Sequence, residues 1–275
     1  MRFKSDWQDQ VGRSWAQMYH QTDRSFTQLT ERLVERIGAE AGEAILDIGC
    51  GAGELSLSVA AARPQARVIG VDVSPDLVAV ASERGNGVGN LEFTRQDVAG
   101  WHREGFAPDL LISRHGVMFF DDPVAAFVHL RGEAQPGAAM VFSCFRAPSE
   151  NPWMSQIAAL LPKDENAPPP DPHAPGPFAF ADSARVEAIL AEAGWSGIAF
   201  QPVDYTYFAG AGEDPVADAM AFLGRIGPAA SALNALEEPE KGKVVARMRA
   251  WLEANCRDGV VSFPAAAWLV SARSG

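Results

Sequence analysis

Three glycines alternate with small residues in Asp47-Ile48-Gly49-Cys50-Gly51-Ala52-Gly53-Glu54, directly after an apolar run at 44–48 and directly before a helix-forming run at 54–62. A turn of this kind joins a buried strand to a helix and lets a ligand come closer to the backbone than side chains would permit. It implies an α/β fold with its ligand at the strand end. It also argues against one common ligand. A dinucleotide fingerprint needs a third glycine where this chain has Glu54, and Asp47 sets a carboxylate where a pyrophosphate would be repelled and a cationic ligand attracted.

The remaining pattern extends that first unit. Strands are expected at 67–71, 91–94, 109–113, 138–145, 197–205 and 266–272, and helices begin where Ser74-Pro75, Asp122-Pro123 and Asp182 supply N-caps. Phe26, Leu29, Leu33 and Ile37 recur at helical spacing, so about 23–37 reads as an amphipathic helix entering the first strand. Such alternation predicts a doubly wound, mostly parallel sheet covered on both faces, because parallel neighbours need long right-handed crossovers. Pro202 places the sixth strand at a sheet edge. The 275 residues, 47% of them hydrophobic, suffice for one large domain. Within it, 146–181 and 208–263 leave from carboxyl ends of strands and should roof the site, and the Pro-rich run 162–177 reads as an ordered loop or lid.

A formal charge of -12 opposes a nucleic-acid partner. Cys50, Cys144 and Cys256 are odd in number and far apart, which suits reduced thiols in a cytosol. With no signal-like N-terminus and no stretch long enough to span a membrane, the chain reads as soluble and cytoplasmic. Its five histidines are scattered, and Asp171-Pro172-His173 lacks a partnered spacing, so no metal is expected.

Two further aspartates narrow the ligand. Asp72 ends the second strand, where a carboxylate can accept both hydroxyls of a ribose, and Asp97 ends the third, where it can accept from an adenine amino group. With Asp47 facing an ammonium and a sulfonium, these acids fit S-adenosylmethionine (SAM). The chain resembles the class I SAM-dependent methyltransferases, in particular the bacterial small-molecule branch similar to ubiquinone and menaquinone biosynthesis methyltransferases. The resemblance is carried by Ile45 to Gly53, Gly70-Val71-Asp72-Val73-Ser74, Gln96-Asp97-Val98, the run from Ser113 to Phe120, and Gln135-Pro136-Gly137. It implies a seven-stranded sheet whose last strand is antiparallel and inserted beside the sixth.

It also implies site residues. Gly49 and Ser113 would hold the methionine end with backbone groups, and Cys50, Gly51 and Gly53 would bind the cofactor from the glycine loop. Asp72 with Val73 would hold the ribose, and Asp97 with Val98 the adenine. Trp15, Tyr19 and Gln21 would lie in a helical lid formed by residues 1–40. His115 stands where relatives often carry an aromatic residue. It is the candidate general base, with a pocket wall as the other role, and as a base it would give a pH limb near the ordinary histidine value of about 6.5. Asn151-Pro152-Trp153 is similar to a motif of amino methyltransferases but follows the fifth strand rather than the fourth, so it reads as lid structure.

The expected activity is methyl transfer by in-line displacement to a small molecule, leaving S-adenosylhomocysteine (SAH). A SAM-binding protein without turnover and a methyltransferase acting on a macromolecule are the alternatives. An oxidoreductase is disfavoured by Asp47 and Glu54. The acceptor atom (O, N, C or S) and the oligomeric state, a homodimer included, stay open.

Overall fold

The computed structural model describes residues 3–162 and 171–275. The core of the Pro-rich run, 163–170, lies outside the described residues. Three helices, α1 (Phe3–Trp7), α2 (Gln10–Gln17) and α3 (Tyr19–Gly38), precede the alternating unit β1 (Ala44–Ile48), α4 (Glu54–Ala62), β2 (Arg67–Asp72), α5 (Pro75–Arg84), β3 (Leu91–Arg95), β4 (Leu110–Arg114), α6 (Pro123–Glu133) and β5 (Ala139–Phe145). Then come α7 (Pro152–Leu160), α8 (Ser183–Glu192), β6 (Trp195–Gly210), α9 (Pro215–Leu223), α10 (Pro228–Ala235), α11 (Glu240–Ala254), β7 (Cys256–Arg257) and β8 (Val260–Ser274).

The sheet runs β3-β2-β1-β4-β5-β8-β6, with β1 to β5 parallel and β8 antiparallel to both neighbours. Ile45, Leu46, Val68, Ile69, Leu110 and Leu111 are completely buried, as strands covered on both faces require. The caps form as the sequence predicts. Ser74, Asp122 and Asp182 accept from the backbone N–H groups of Leu77, Ala125 and Ala184. Chain order reverses between β1 and β4, so the loops leaving these strands part and open a crevice at the switch point.

The two C-terminal strands differ from expectation. β6 and β8 have 16 and 15 residues, and their pairing continues to Gly210 opposite Val261. Residues 208–210 read from sequence as the start of an insertion, but Val203, Tyr205, Tyr207 and Ala209 alternate on a buried face and continue the strand. The segment expected to form an insertion over 208–263 is thereby shortened to 211–259. Pro202 does lie on the edge strand. Side chains of α3 satisfy part of that edge. Gln28 accepts from Thr206 N at 2.8 Å, and Ser25 and Arg24 donate to the carbonyls of Phe208 and Ala209 at 2.9 and 3.0 Å. α3 thus covers a strand that would otherwise be open to pairing with another chain. Among the described residues no helix is long and apolar enough to cross a membrane.

Candidate active site

A cavity of about 420 Å³ opens at the carboxyl ends of the parallel strands. Its floor is the glycine loop. Gly49 adopts φ +63°, and a Cβ there would lie 2.9 Å from Gly116 Cα. A Cβ on Gly116 would in turn lie 2.5 Å from the Ile48 carbonyl oxygen. The loops after β1 and β4 therefore meet backbone to backbone, a closeness only glycine permits.

Three acids face this floor. Asp47 is wholly buried; its Oδ2 accepts from Ser56 Oγ at 2.5 Å, while its Oδ1 has no hydrogen-bond partner among the described residues. Burial raises its pKa to about 7, against the Ser56 hydrogen bond and the attraction of Arg114. Asp72 accepts from Gly51 N and Ser74 N, each at 2.9 Å, which fixes its carboxylate at the end of β2. Burial also pushes its pKa upward, with these backbone bonds opposing. Asp97 accepts from Ala99 N at 3.1 Å and caps the short turn carrying Val98.

Asp47, Gly49, Cys50, Gly51, Asp72, Val73, Asp97, Val98, Trp15, Tyr19 and His115 all line the cavity. Three expected residues do not. Ser113 is buried, donates to the Ile48 carbonyl at 2.6 Å and accepts from Gly116 N at 3.1 Å, so its hydroxyl fastens the two loops together. Gly53 packs on Phe93, where a Cβ would lie 2.7 Å from the ring. Gln21 reaches Asp218 of α9 at 3.5 Å, beside the Arg24–Asp218 ion pair at 2.7 Å. Each of these residues is engaged in packing or in ties between elements. Burial, with Asp72 and Asp47 nearby, pushes the Cys50 thiol well above its ordinary range, away from the thiolate form that a nucleophile needs.

His115 sits in the left-handed region at φ +63° and is 8% exposed. Its ring stacks on Phe145 at 4.0 Å and meets Phe26 edge-on at 5.3 Å. Nδ1 lies 3.5 Å from Ser143 Oγ, and Nε2 has no hydrogen-bond partner among the described residues. Burial first, and the neighbouring Arg114 second, lower its pKa to about 3. The imidazole is therefore neutral at physiological pH.

Arg114, to which the sequence assigns no role, lines the same cavity. It binds Glu54, donates to Thr30 Oγ1 at 2.8 Å, lies 3.8 Å from Asp23 and covers the Phe26 ring at 5.3 Å. Arg84 closes the network, 2.7 Å from Asp23 and stacked over Tyr19 at 4.7 Å. The Glu54 that breaks the dinucleotide pattern is thus the anchor joining the glycine loop to α3 through Arg114.

The sheet, with its antiparallel β8 between β5 and β6, defines the class I methyltransferase fold. Residues 45–137 match the family model described as a methyltransferase domain. Trans-aconitate 2-methyltransferase of Methylobacterium radiotolerans is 31% identical over 123 residues, covering 45% of this chain and 46% of that protein. A malonyl-acyl-carrier-protein O-methyltransferase of Halalkalibacterium halodurans is 27% identical over 139 residues, covering 47% and 51%. The chain thus spans about half the length of the curated relatives it matches. The magnesium protoporphyrin IX methyltransferase of Synechocystis PCC 6803 superposes with a TM-score of 0.55 at 17% identity over 98% of each chain, a likeness of fold.

Proposed function

We propose that the chain is an enzyme that binds SAM and transfers its methyl group to a small molecule held in the cavity. The observation that carries this reading is the placing of Asp47, Asp72 and Asp97 around one cavity, at or just past the ends of successive strands. Asp47, an acid lining the cavity beside the glycine loop, suits the ligand's ammonium. Asp72 retains lone pairs for ribose hydroxyls, and Asp97 with Val98 suits the adenine. A side chain at Gly51 would meet no protein atom within 4 Å, which leaves the loop backbone open to a ligand. Trp15 and Tyr19 cover it from the N-terminal helices, and Trp153, Met154, Pro177, Ile226 and Gly227 line the cavity from the two later segments.

SAM supplies a methyl group on a sulfonium that is already a leaving group. The protein's share is alignment and exclusion of water. His115, neutral, acts here as a hydrogen-bonding wall for the acceptor. The cavity volume suits a small molecule, and the net charge of -12 opposes nucleic acid. A soluble, cytoplasmic existence belongs to the same reading. Acids such as trans-aconitate, named for one relative, are one class of acceptor to test.

Calorimetry with SAM, SAH and NAD tests the cofactor. SAM and SAH should bind at micromolar affinity or tighter, roughly -8 kcal/mol or better, and NAD should not bind; comparable NAD binding would overturn the assignment. Asp72→Ala should weaken SAM binding by about 1.5–3 kcal/mol through lost charge-assisted hydrogen bonds. A folded variant with an unchanged dissociation constant would remove Asp72 from the ribose site. Turnover of labelled SAM with a metabolite extract tests the transfer.

For His115 the expected result is quantitative. His115→Asn should lower kcat/KM by about 3- to 10-fold, the size of one neutral hydrogen bond, and the wild-type rate should show no histidine limb between about pH 5 and 8. A loss of about 10²-fold or more together with such a limb would restore the general-base role.

A further inference from the structure

Arg84 is the last residue of α5 and does not line the cavity, yet it holds three residues that do. Its Nη1 donates to the Ala52 carbonyl at 2.7 Å, its Nη2 donates to Asp23 Oδ2 at 2.7 Å, and its guanidinium lies 4.7 Å from the centroid of the Tyr19 ring. Ala52, Asp23 and Tyr19 all line the cavity. The side chains of Arg84 and Asp23 are largely buried, so this is not a surface ion pair open to water. A planar guanidinium can bond at two points and stack on a ring in one pose. A lysine ammonium, a point charge, cannot.

The two parts that Arg84 joins are each adjustable on their own. In the glycine loop, Gly49, Gly51 and Gly53 have φ values of +63°, +55° and +87°, a region that glycine enters and leaves freely. Asp72 ties the loop at Gly51 N, and Gly53 N donates to the Cys50 carbonyl; Arg84 ties the residue between them. On the other side, α3 begins at Met18, where the backbone turns to φ -106° and ψ 21° and no side chain caps the helix. An uncapped first turn frays more readily than a capped one, and this turn carries Tyr19. The base from which Arg84 reaches is firmer. α5 is capped by Ser74 and buries Leu77 and Ala81.

We infer that Arg84 is a positioning residue for the methionine end of the cofactor, acting from outside the cavity by setting the glycine loop and Tyr19 in the mutual arrangement that the bound ligand requires. The assignment rests on the SAM-binding reading, in which the glycine loop meets the methionine end while Asp72 and Asp97 serve the ribose and the adenine. Without the guanidinium, the residues of the pocket remain but loop and cover move independently. The ligand must then select the competent arrangement from several, and its apparent affinity falls by the fraction populated.

The test uses the full chain and calorimetry with two ligands, SAH and methylthioadenosine, which keeps the adenine and ribose but lacks the amino-acid portion. Arg84→Met should weaken SAH roughly 5- to 30-fold and methylthioadenosine less than about twofold. Arg84→Lys should recover part of the SAH loss, because the charge remains while the two-point hold does not. In a Tyr19→Ala background the effect of Arg84→Met on SAH should shrink by at least about threefold, as expected where one residue acts through the other. Equal weakening of both ligands, an unchanged SAH affinity in Arg84→Met, or an undiminished effect in the Tyr19→Ala background would overturn the proposal. If circular dichroism shows Arg84→Met to be unfolded, Arg84→Lys takes its place and should weaken SAH about 3- to 10-fold with methylthioadenosine unchanged; equal loss, or none, overturns the proposal there too. If methylthioadenosine does not bind the wild type, the cycle with Tyr19→Ala decides. Failure of the wild type to bind SAH at all would instead sink the cofactor reading, so the two failures are distinguishable.

Discussion

Arg114→Met is expected to destabilise the protein by about 3–5 kcal/mol in urea unfolding at neutral pH, the cost of leaving buried charges without their partner. The Arg114 side chain is 14% exposed, and those of Glu54 and Asp23 are 17% and 19% exposed, so water replaces little of what is lost. Asp23 keeps Arg84 at 2.7 Å; Glu54 has no other cation among its described ion pairs, and the loss falls mainly on it. Pairing Arg114→Met with Glu54→Gln should therefore recover much of the deficit, because the second change removes the stranded charge. The network also ties α3 to the glycine loop, so SAM affinity should fall in the single variant and partly return in the double one. A single variant within about 0.5 kcal/mol of wild type would show that the network contributes specificity rather than stability.

Local chemistry accounts for what the sequence revealed. β1 and α4 were legible to the residue because apolar, glycine and helix-forming runs abut without overlap, and the caps at Ser74, Asp122 and Asp182 act within three residues of themselves. The acids at the strand ends were legible for the same reason, since a strand's last residue faces the crevice wherever the sheet is parallel. What failed depends on partners distant in the chain. β6 looked finished at Tyr205 because its continuation is stabilised by β8 and by Gln28, Ser25 and Arg24 of α3. Ser113 and Gln21 stand outside the cavity lining, and the ties of their hydroxyl and amide to Ile48, Gly116 and Asp218 are not visible in the sequence. Glu54 registered only as a missing glycine; its role appears when residues 23, 54, 84 and 114 come together. Asn151-Pro152-Trp153 divides in two, since Asn151 is structural as expected while Trp153 faces the cavity.

Asp47 should make the stability of the ligand-free protein fall with rising pH. Its pKa is about 7 in the folded chain against 3.8 for an ordinary aspartate. Between these values the native state keeps a proton that the unfolded chain has released, so the unfolded state binds fewer protons and stability declines as pH rises. The decline should begin near pH 4, amount to about 3–5 kcal/mol and level off above about pH 7. Asp72 and Asp23 shift in the same direction and Glu40 and Glu92 in the opposite one. The Asp47 share is therefore read as the difference between wild type and Asp47→Asn, which keeps an acceptor for Ser56 and has nothing to ionise. Binding should run the other way. In the proposed function the ligand's ammonium requires the carboxylate, so SAM affinity should strengthen as pH rises through about 7. At pH 8 Asp47→Asn should bind SAM about 1.5–3 kcal/mol more weakly while being the more stable protein without ligand. Parallel stability curves for the two proteins would show that Asp47 is ionised in the fold at all these pH values, and an Asn variant with wild-type SAM affinity would remove Asp47 from the ammonium site.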